Sequence, residues 1–184
     1  NIKYSKIFLF FACIFISFYI VKKTSSEILF ISILGGAALY LLFITINEFL
    51  NKKNNFSQTI SHFGFSLFVI SILLNSLFSG EFSANMKLGQ ELVYEKEQIK
   101  FLKIKSIDKE NYKSIIANFE IKDEKKNITS LYPEIRIYNQ PNILTSEADI
   151  KTTIFFDKFI VINLLKGEEI FNVRYQTKPF MIWI

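Results

Sequence analysis

The stretch Gln58 to Phe78, QTISHFGFSLFVISILLNSLF, carries no Lys, Arg, Asp or Glu and holds the only histidine of the chain, His62. At about 1.5 Å per residue it is long enough to cross a hydrocarbon core of about 30 Å, so it reads as a transmembrane helix. An imidazole in such a helix is costly to desolvate, and nothing in the stretch itself offsets that cost. His62 should therefore meet a cavity, a partner or a ligand. Two readings stand side by side: a hydrogen bond to a neighbouring helix, or ligation of a metal or heme iron, for which neutral imidazole is the commonest protein ligand. Small and polar residues at Ser57, Ser61, Gly64, Ser71 and Asn75 recur at spacings that gather them on one stripe, where another helix can approach closely. His62 is expected on the neighbouring face, about 100° around from Ser61.

Two further apolar runs precede this helix. Residues 7–21 are apolar and bracketed by Lys3, Lys6, Lys22 and Lys23; the run is short for a span, but Tyr4, Ser5 and snorkelling lysines extend it. A cleaved signal peptide is the competing reading, and the paired lysines stand where a small-residue cleavage site belongs. Residues 28–46 form the second span, with Gly35, Gly36, Ala37 and Ala38 as a surface for helix contact. The six-residue connection KKTSSE between them forces a tight antiparallel pair. A polar loop, 47–56, leads into the third span, 58–78. Placing Lys3, Lys6, Lys52 and Lys53 inside leaves only Lys22 and Lys23 outside, so the positive-inside rule puts everything after Phe78 on the extracytoplasmic side.

After Phe78 the pattern changes from continuous to alternating. Segments 99–107, 112–122, 128–138, 159–165 and 170–175, rich in Ile, Phe, Tyr and Val, read as strands of an antiparallel β domain spanning 80–178. DEKKN and KGEE serve as hairpin-like connections, whereas NQPNILTSEA, 139–148, reads as a surface loop containing Glu147. Roughly a hundred residues suffice for a small core. The fold class is thus a membrane α-helical part (1–79) with an extracytoplasmic β-rich domain. PFMIWI, 179–184, is expected to open a further transmembrane helix, and the chain reads as a piece of a longer protein.

Composition excludes several functions. The chain has a net charge of +5, but from Glu81 to Lys178 basic residues number sixteen against fifteen acidic, so the excess flanks the helices and no nucleic-acid footprint is present. Cys13 is the sole cysteine, which rules out a disulfide or cysteine metal site within the chain. No Ser/His/Asp set and no glycine-rich phosphate loop after a strand is visible. Carboxylate pairs such as Glu95 with Glu97, or Glu168 with Glu169, read as solvated faces.

The order of parts is nevertheless recognisable: SHFGFSLF within the membrane, NSLFSGEFSANMKLGQ, a β domain containing LYPEIRIYNQPNILTSEADI, then VRYQTKPFMIWI. This resembles the C-terminal part of the CcmF/NrfE family, the heme lyase subunit of bacterial cytochrome c-type biogenesis, from about Ser57 to the end. The resemblance implies a multi-pass protein of the inner membrane with residues 80–178 periplasmic. It also implies that His62 is an axial ligand of an intramembrane heme b, with the second ligand outside this chain, and that a further heme is substrate. The partners implied are apocytochrome c, whose CxxCH motif receives the heme, a heme chaperone and other maturation subunits, besides membrane lipids. The family's tryptophan-rich WWD segment is absent, Trp183 being the only tryptophan, so the chain alone is not expected to be active. Glu147 falls in a TEA-like loop, and Pro179 and Trp183 in the exit motif, without catalytic roles. The alternative from another class is a membrane-anchored periplasmic scaffold or transporter subunit without a cofactor.

Overall fold

A computed structural model describes residues 2–22, 28–51, 55–164 and 170–184. The connections KKTSSE (beyond Lys22) and KGEE, together with Lys52 and Lys53, lie outside the described residues. The chain divides into two units, one comprising Asn1–Ser79 with Pro179–Ile184, the other Gly80–Lys178.

The first unit holds three helices: α1 Ile2–Val21, α2 Ile28–Leu50 and α3 Phe56–Phe78. All three are long and apolar enough to cross a membrane. Their outward side chains are large and apolar, with Phe8 77% and Leu29 73% exposed, a surface that suits lipid or a further apolar helix. Helices α1 and α2 run antiparallel: Lys6 Nζ lies 3.7 Å from Glu48 Oε1, the Phe10 and Tyr40 rings meet edge to face at 5.3 Å, and Gly36 faces Ile14. A Cβ on Gly36 would fall 2.6 Å from the Ile14 Cα, and one on Gly35 would collide with the Ser17 hydroxyl. The paired glycines thus set how closely the backbones approach, as expected. Helix α1 takes in Tyr4 and Ser5, the extension the sequence suggested, whereas α2 continues to Leu50, into what looked like a loop. Glu48 is paired with Lys6 there, and Asn51 donates to the Asn47 carbonyl at 2.7 Å, which satisfies a helix end despite the polar composition.

The second unit is an antiparallel sandwich. One sheet has the order β1-β10-β9-β8, built from β1 Gly80–Lys87, β8 Asp149–Thr152, β9 Phe156–Leu164 and β10 Ile170–Pro179. The other runs β2-β3-β4-β6-β7: β2 Glu91–Tyr94, β3 Glu97–Asp108, β4 Tyr112–Lys122, β6 Glu134–Tyr138 and β7 Leu144–Glu147, with β5 Ile128–Leu131 also paired to β4. Period-two alternation sends Ile99 and Phe101, Ala117, Phe119 and Ile121, Ile160 and Ile162, and Phe171, Val173 and Tyr175 inward. Phe101 stacks on Phe119 at 4.5 Å and meets Phe171 of the facing sheet edge-on at 5.6 Å, which locks the two sheets together.

All five expected strands are present, with three corrections. The run 128–138 is split at Tyr132 and Pro133: Pro133 has no N–H for a ladder, and its carbonyl instead accepts from Ala117 N at 3.0 Å. Strands β1, β2 and β8 were not anticipated, although Phe82, Ala84 and Met86 alternate in β1 with the polar side chains between them. The loop 139–148 ends in a strand, β7, whose Glu147 pairs in register with Glu134. DEKKN is the expected hairpin, closed by Asp123 Oδ1 accepting from Asn127 N at 2.8 Å. Beyond β10, Met181–Trp183 forms a single 3-10 turn, and Asn75 of α3 donates its side-chain N–H to the Pro179 carbonyl at 2.8 Å.

Candidate functional site

His62 lies six residues beyond Phe56, the first of α3, about 9 Å along the helix. The hydroxyls around it are occupied by their own helix: Thr59 donates to the Asn55 carbonyl at 3.3 Å, Ser61 to Ser57 at 2.9 Å and Ser66 to Phe63 at 2.8 Å. His62 is half-buried, and among the described residues it makes no hydrogen bond and no ion pair.

The expected packing stripe holds only in its second half, where Ser71 is buried and Asn75 is bonded to Pro179. In the first half, Ser57, Ser61 and Gly64 are exposed, and a Cβ on Gly64 would meet nothing within 4 Å. The buried residues there are Thr59 and Ser66. At about 100° per residue, His62 lies to one side of both, about 40° around from Ser66 and about 60° from Thr59. Half-buried, His62 thus stands at the edge of the packing side of α3. Small side chains permit close contact but do not compel it, and a hydroxyl already satisfied within its helix can be buried at little cost.

Among the described residues no group of three or more His, Cys, Asp or Glu is placed to hold a metal ion. His62 offers one nitrogen donor. Such a donor fits one axial position on a porphyrin iron, where the macrocycle fills the equatorial positions, and does not fit a closed protein-only metal site.

In the sandwich, the motif residues Glu134, Arg136 and Glu147 form one cluster. Glu134 and Glu147 sit directly opposite across β6 and β7, an arrangement of like charges that is unfavourable by itself. Arg136 lies between them, 3.1 Å from Glu134 and 4.0 Å from Glu147, and its guanidinium also rests 5.3 Å over the Tyr112 ring. The hydrogen bond from Arg136 holds the Glu134 carboxyl below the usual range, and Glu134 in turn raises the Arg136 pKa. Glu147 is thus a strand residue held in an ion cluster.

Sequence reasoning missed a second cluster. Glu97, expected on a solvated face, is largely covered: its carboxylate accepts from the Tyr175 hydroxyl at 2.5 Å and pairs with Lys158 Nζ at 2.6 Å. Since Glu97 is on β3 and its partners are on β10 and β9, the cluster ties the two sheets together. Burial first, and the adjacent carboxylate second, push the Tyr175 phenol far above its ordinary value. The signal was a Tyr continuing the inward alternation of Phe171 and Val173, because a fully buried phenol needs an acceptor.

Residues 77–179 match the family described as the CcmF C-terminal beta-sandwich. This chain belongs to the CcmF family. The cytochrome c-type biogenesis protein CcmF of Escherichia coli (strain K12) is 28% identical over 128 residues, covering 67% of this chain and 19% of that protein. The protein of the same name from Pseudomonas aeruginosa is 24% identical over 132 residues, covering 72% and 20%. The chain therefore spans about a fifth of the length of these relatives. A solved structure, cytochrome c heme lyase CcmF, superimposes with a TM-score of 0.68 over 96% of this chain and 31% of that one, at 13% identity, which speaks for a shared fold. The CcmF fold here is membrane helices followed by a β-sandwich.

Proposed function

We propose that the chain is the C-terminal portion of a cytochrome c heme lyase, which attaches heme covalently to the CxxCH motif of apocytochrome c at the periplasmic face of the bacterial inner membrane. The match of residues 77–179 to the CcmF β-sandwich carries this reading. His62 is the axial ligand that this chain supplies to an intramembrane heme b, and the second ligand comes from outside the chain. The observation behind that role is an imidazole in an apolar span with no hydrogen bond among the described residues, so that its nitrogen is not otherwise engaged. When bound, such a heme supplies electron transfer. The protein's own part is to fix the imidazole on a packed helix and exclude water from it. Residues 80–178 are periplasmic and 179–184 begin the next span; apocytochrome c, a heme chaperone and other maturation subunits are the partners.

The test is His62→Ala in the full-length protein. The b-type heme absorbance should be lost or weakened and cytochrome c maturation impaired, with the protein still inserted; His62→Cys or His62→Met should retain some ligation with a shifted spectrum or potential. An unaltered bis-histidine spectrum with normal maturation would refute the ligand assignment and leave His62 a packing residue. A full-length protein that is colourless in every preparation would favour a scaffold without a cofactor.

A further inference from the structure

Two strand edges of the sandwich meet without pairing. Strand β5 pairs only with β4, and β8 ends the sheet β1-β10-β9-β8, pairing only with β9. In an antiparallel ladder, alternate residues turn their N–H and C=O toward the partner strand and the others turn them away. Ala117 N donates to the Pro133 carbonyl and Asp123 N to the Asn127 carbonyl, both in the register of β4 with β5. Thr129 and Leu131 therefore bond to β4, while Ile128, Ser130 and Tyr132 direct their backbone groups away from it. Likewise, Thr153 N donates to the Phe156 carbonyl in the register of β8 with β9, so Ile150 and Thr152 direct theirs away from β9. All of these outward-directed residues are exposed.

Where the two edges meet, the Asp149 carboxylate stands in for a ladder. Its Oδ2 accepts from Tyr132 N at 2.6 Å and its Oδ1 from Ile150 N at 2.9 Å. Beyond this clasp, among the described residues, the outward N–H and C=O groups of Ile128, Ser130 and Thr152 and the carbonyls of Tyr132 and Ile150 have no protein partner. Unpaired edges are templates for another strand, and native sheets commonly guard them with lysine. Lys122 pairs with Ile128, Lys125 and Lys126 form the turn into β5, and Lys151 separates Ile150 from Thr152; all four are exposed. The acids beside them are engaged or covered. Asp123 is bonded to Asn127, Glu124 to Lys96 and Asp149 to the two amides, and Asp157, opposite Thr152, is half-buried.

We propose that the β5 edge, beside the free edge of β8, binds an extended acidic segment of a partner protein by strand addition. The occupant is a polypeptide because the unpaired groups recur at alternate residues, about 6.8 Å apart, a spacing that an extended backbone matches donor for acceptor. The segment is acidic because the lysines attract carboxylates and repel a basic strand. They also oppose self-pairing, since a second copy of this chain would bring the same lysines to the contact. Ile128, Tyr132 and Ile150 offer exposed apolar side chains on these edges, which favours apolar residues alternating with the acidic ones. This inference is independent of heme ligation by His62.

The experiment uses full-length protein in nanodiscs and reads amide hydrogen exchange with two synthetic peptides, one alternating Glu with Val and the other Lys with Val. The Glu peptide should slow exchange at Ile128, Ser130 and Thr152, and the Lys peptide should not. Ser130→Pro removes an N–H that faces away from β4, leaves that ladder whole, and should weaken the Glu peptide about tenfold. Reversing Lys122 and Lys151 together to Glu alters no backbone group and should invert the preference toward the Lys peptide. Three results would overturn the proposal. The Glu peptide could leave exchange at these amides unchanged, or both peptides could protect them equally in wild type and in the charge-reversed variant. The amides could also be protected before any peptide is added, with a dependence on protein concentration marking self-pairing and none marking cover by the rest of the chain.

Discussion

Replacing Tyr175 with Phe removes one oxygen from the sandwich interior without opening a cavity, so its cost isolates the tie between the sheets. Tyr175 is fully buried and its hydroxyl donates to Glu97 at 2.5 Å, so in the variant no water takes its place. A hydrogen bond to a charged acceptor contributes about 1.5–3 kcal/mol. The Glu97 side chain retains 17% exposure and keeps Lys158 at 2.6 Å, so the orphaned carboxylate oxygen is partly compensated and the lower half of that range applies. The expected loss is about 2 kcal/mol, roughly a thirtyfold fall in the folding equilibrium constant. For a domain of this size that is a decrease of roughly 1–2 M in the urea midpoint at unchanged m-value. The assay is equilibrium urea unfolding of residues 80–178, followed by far-UV circular dichroism, for the wild type, Tyr175→Phe, Lys158→Met and the double variant. Since the two side chains share Glu97, their effects should be non-additive. A Tyr175→Phe midpoint indistinguishable from wild type, or strictly additive effects, would refute the view that this cluster binds the sheets together.

Gly36→Leu should lower the yield and thermal stability of the full-length protein in detergent, because a side chain there meets the Ile14 backbone and the helices must separate; Gly64→Ala, where a Cβ meets nothing within 4 Å, should be neutral or slightly stabilising. Arg136→Leu should destabilise the sandwich at neutral pH by leaving Glu134 and Glu147 opposed. Because Arg136 lowers the Glu134 pKa, its stabilising effect is fully present above the unfolded-state value of about 4.3 and is lost as the pH falls through the lowered folded-state value, so urea midpoints of variant and wild type should approach each other progressively as the pH drops below about 4.3. A periplasm-dependent reporter fused after Lys109 should be active and one fused at Asn54 inactive, since Lys52 and Lys53 hold the loop before α3 inside; the reverse pattern would invert the topology.

The spans were legible because their signal is additive along the chain: twenty apolar residues need a membrane whatever they pack against. The glycine pair in α2 was legible for a related reason, since a missing Cβ has few uses in a helix other than close approach. Alternation likewise exposed β3, β4, β9 and β10, whose inward residues fill the core. What the sequence left open depended on which neighbours arrive. Whether Ser61 or Ser66 is buried on α3 depends on the path of α2, because both hydroxyls are satisfied within α3 and either can face a partner. Glu97 looked like half of an exposed acidic pair until strands distant in sequence brought Lys158 and Tyr175 to it. Glu147 looked like a loop residue because β7 is only four residues long, and its strand character comes from the ladder with β6 and from Arg136. Local pattern determined which segments are helix or strand, since periodicity is a property of the chain itself. The partners of the charged and hydroxyl groups were decided by tertiary structure, since they are set by contacts between residues far apart in the chain, as Tyr175 and Glu97 are at 78 positions.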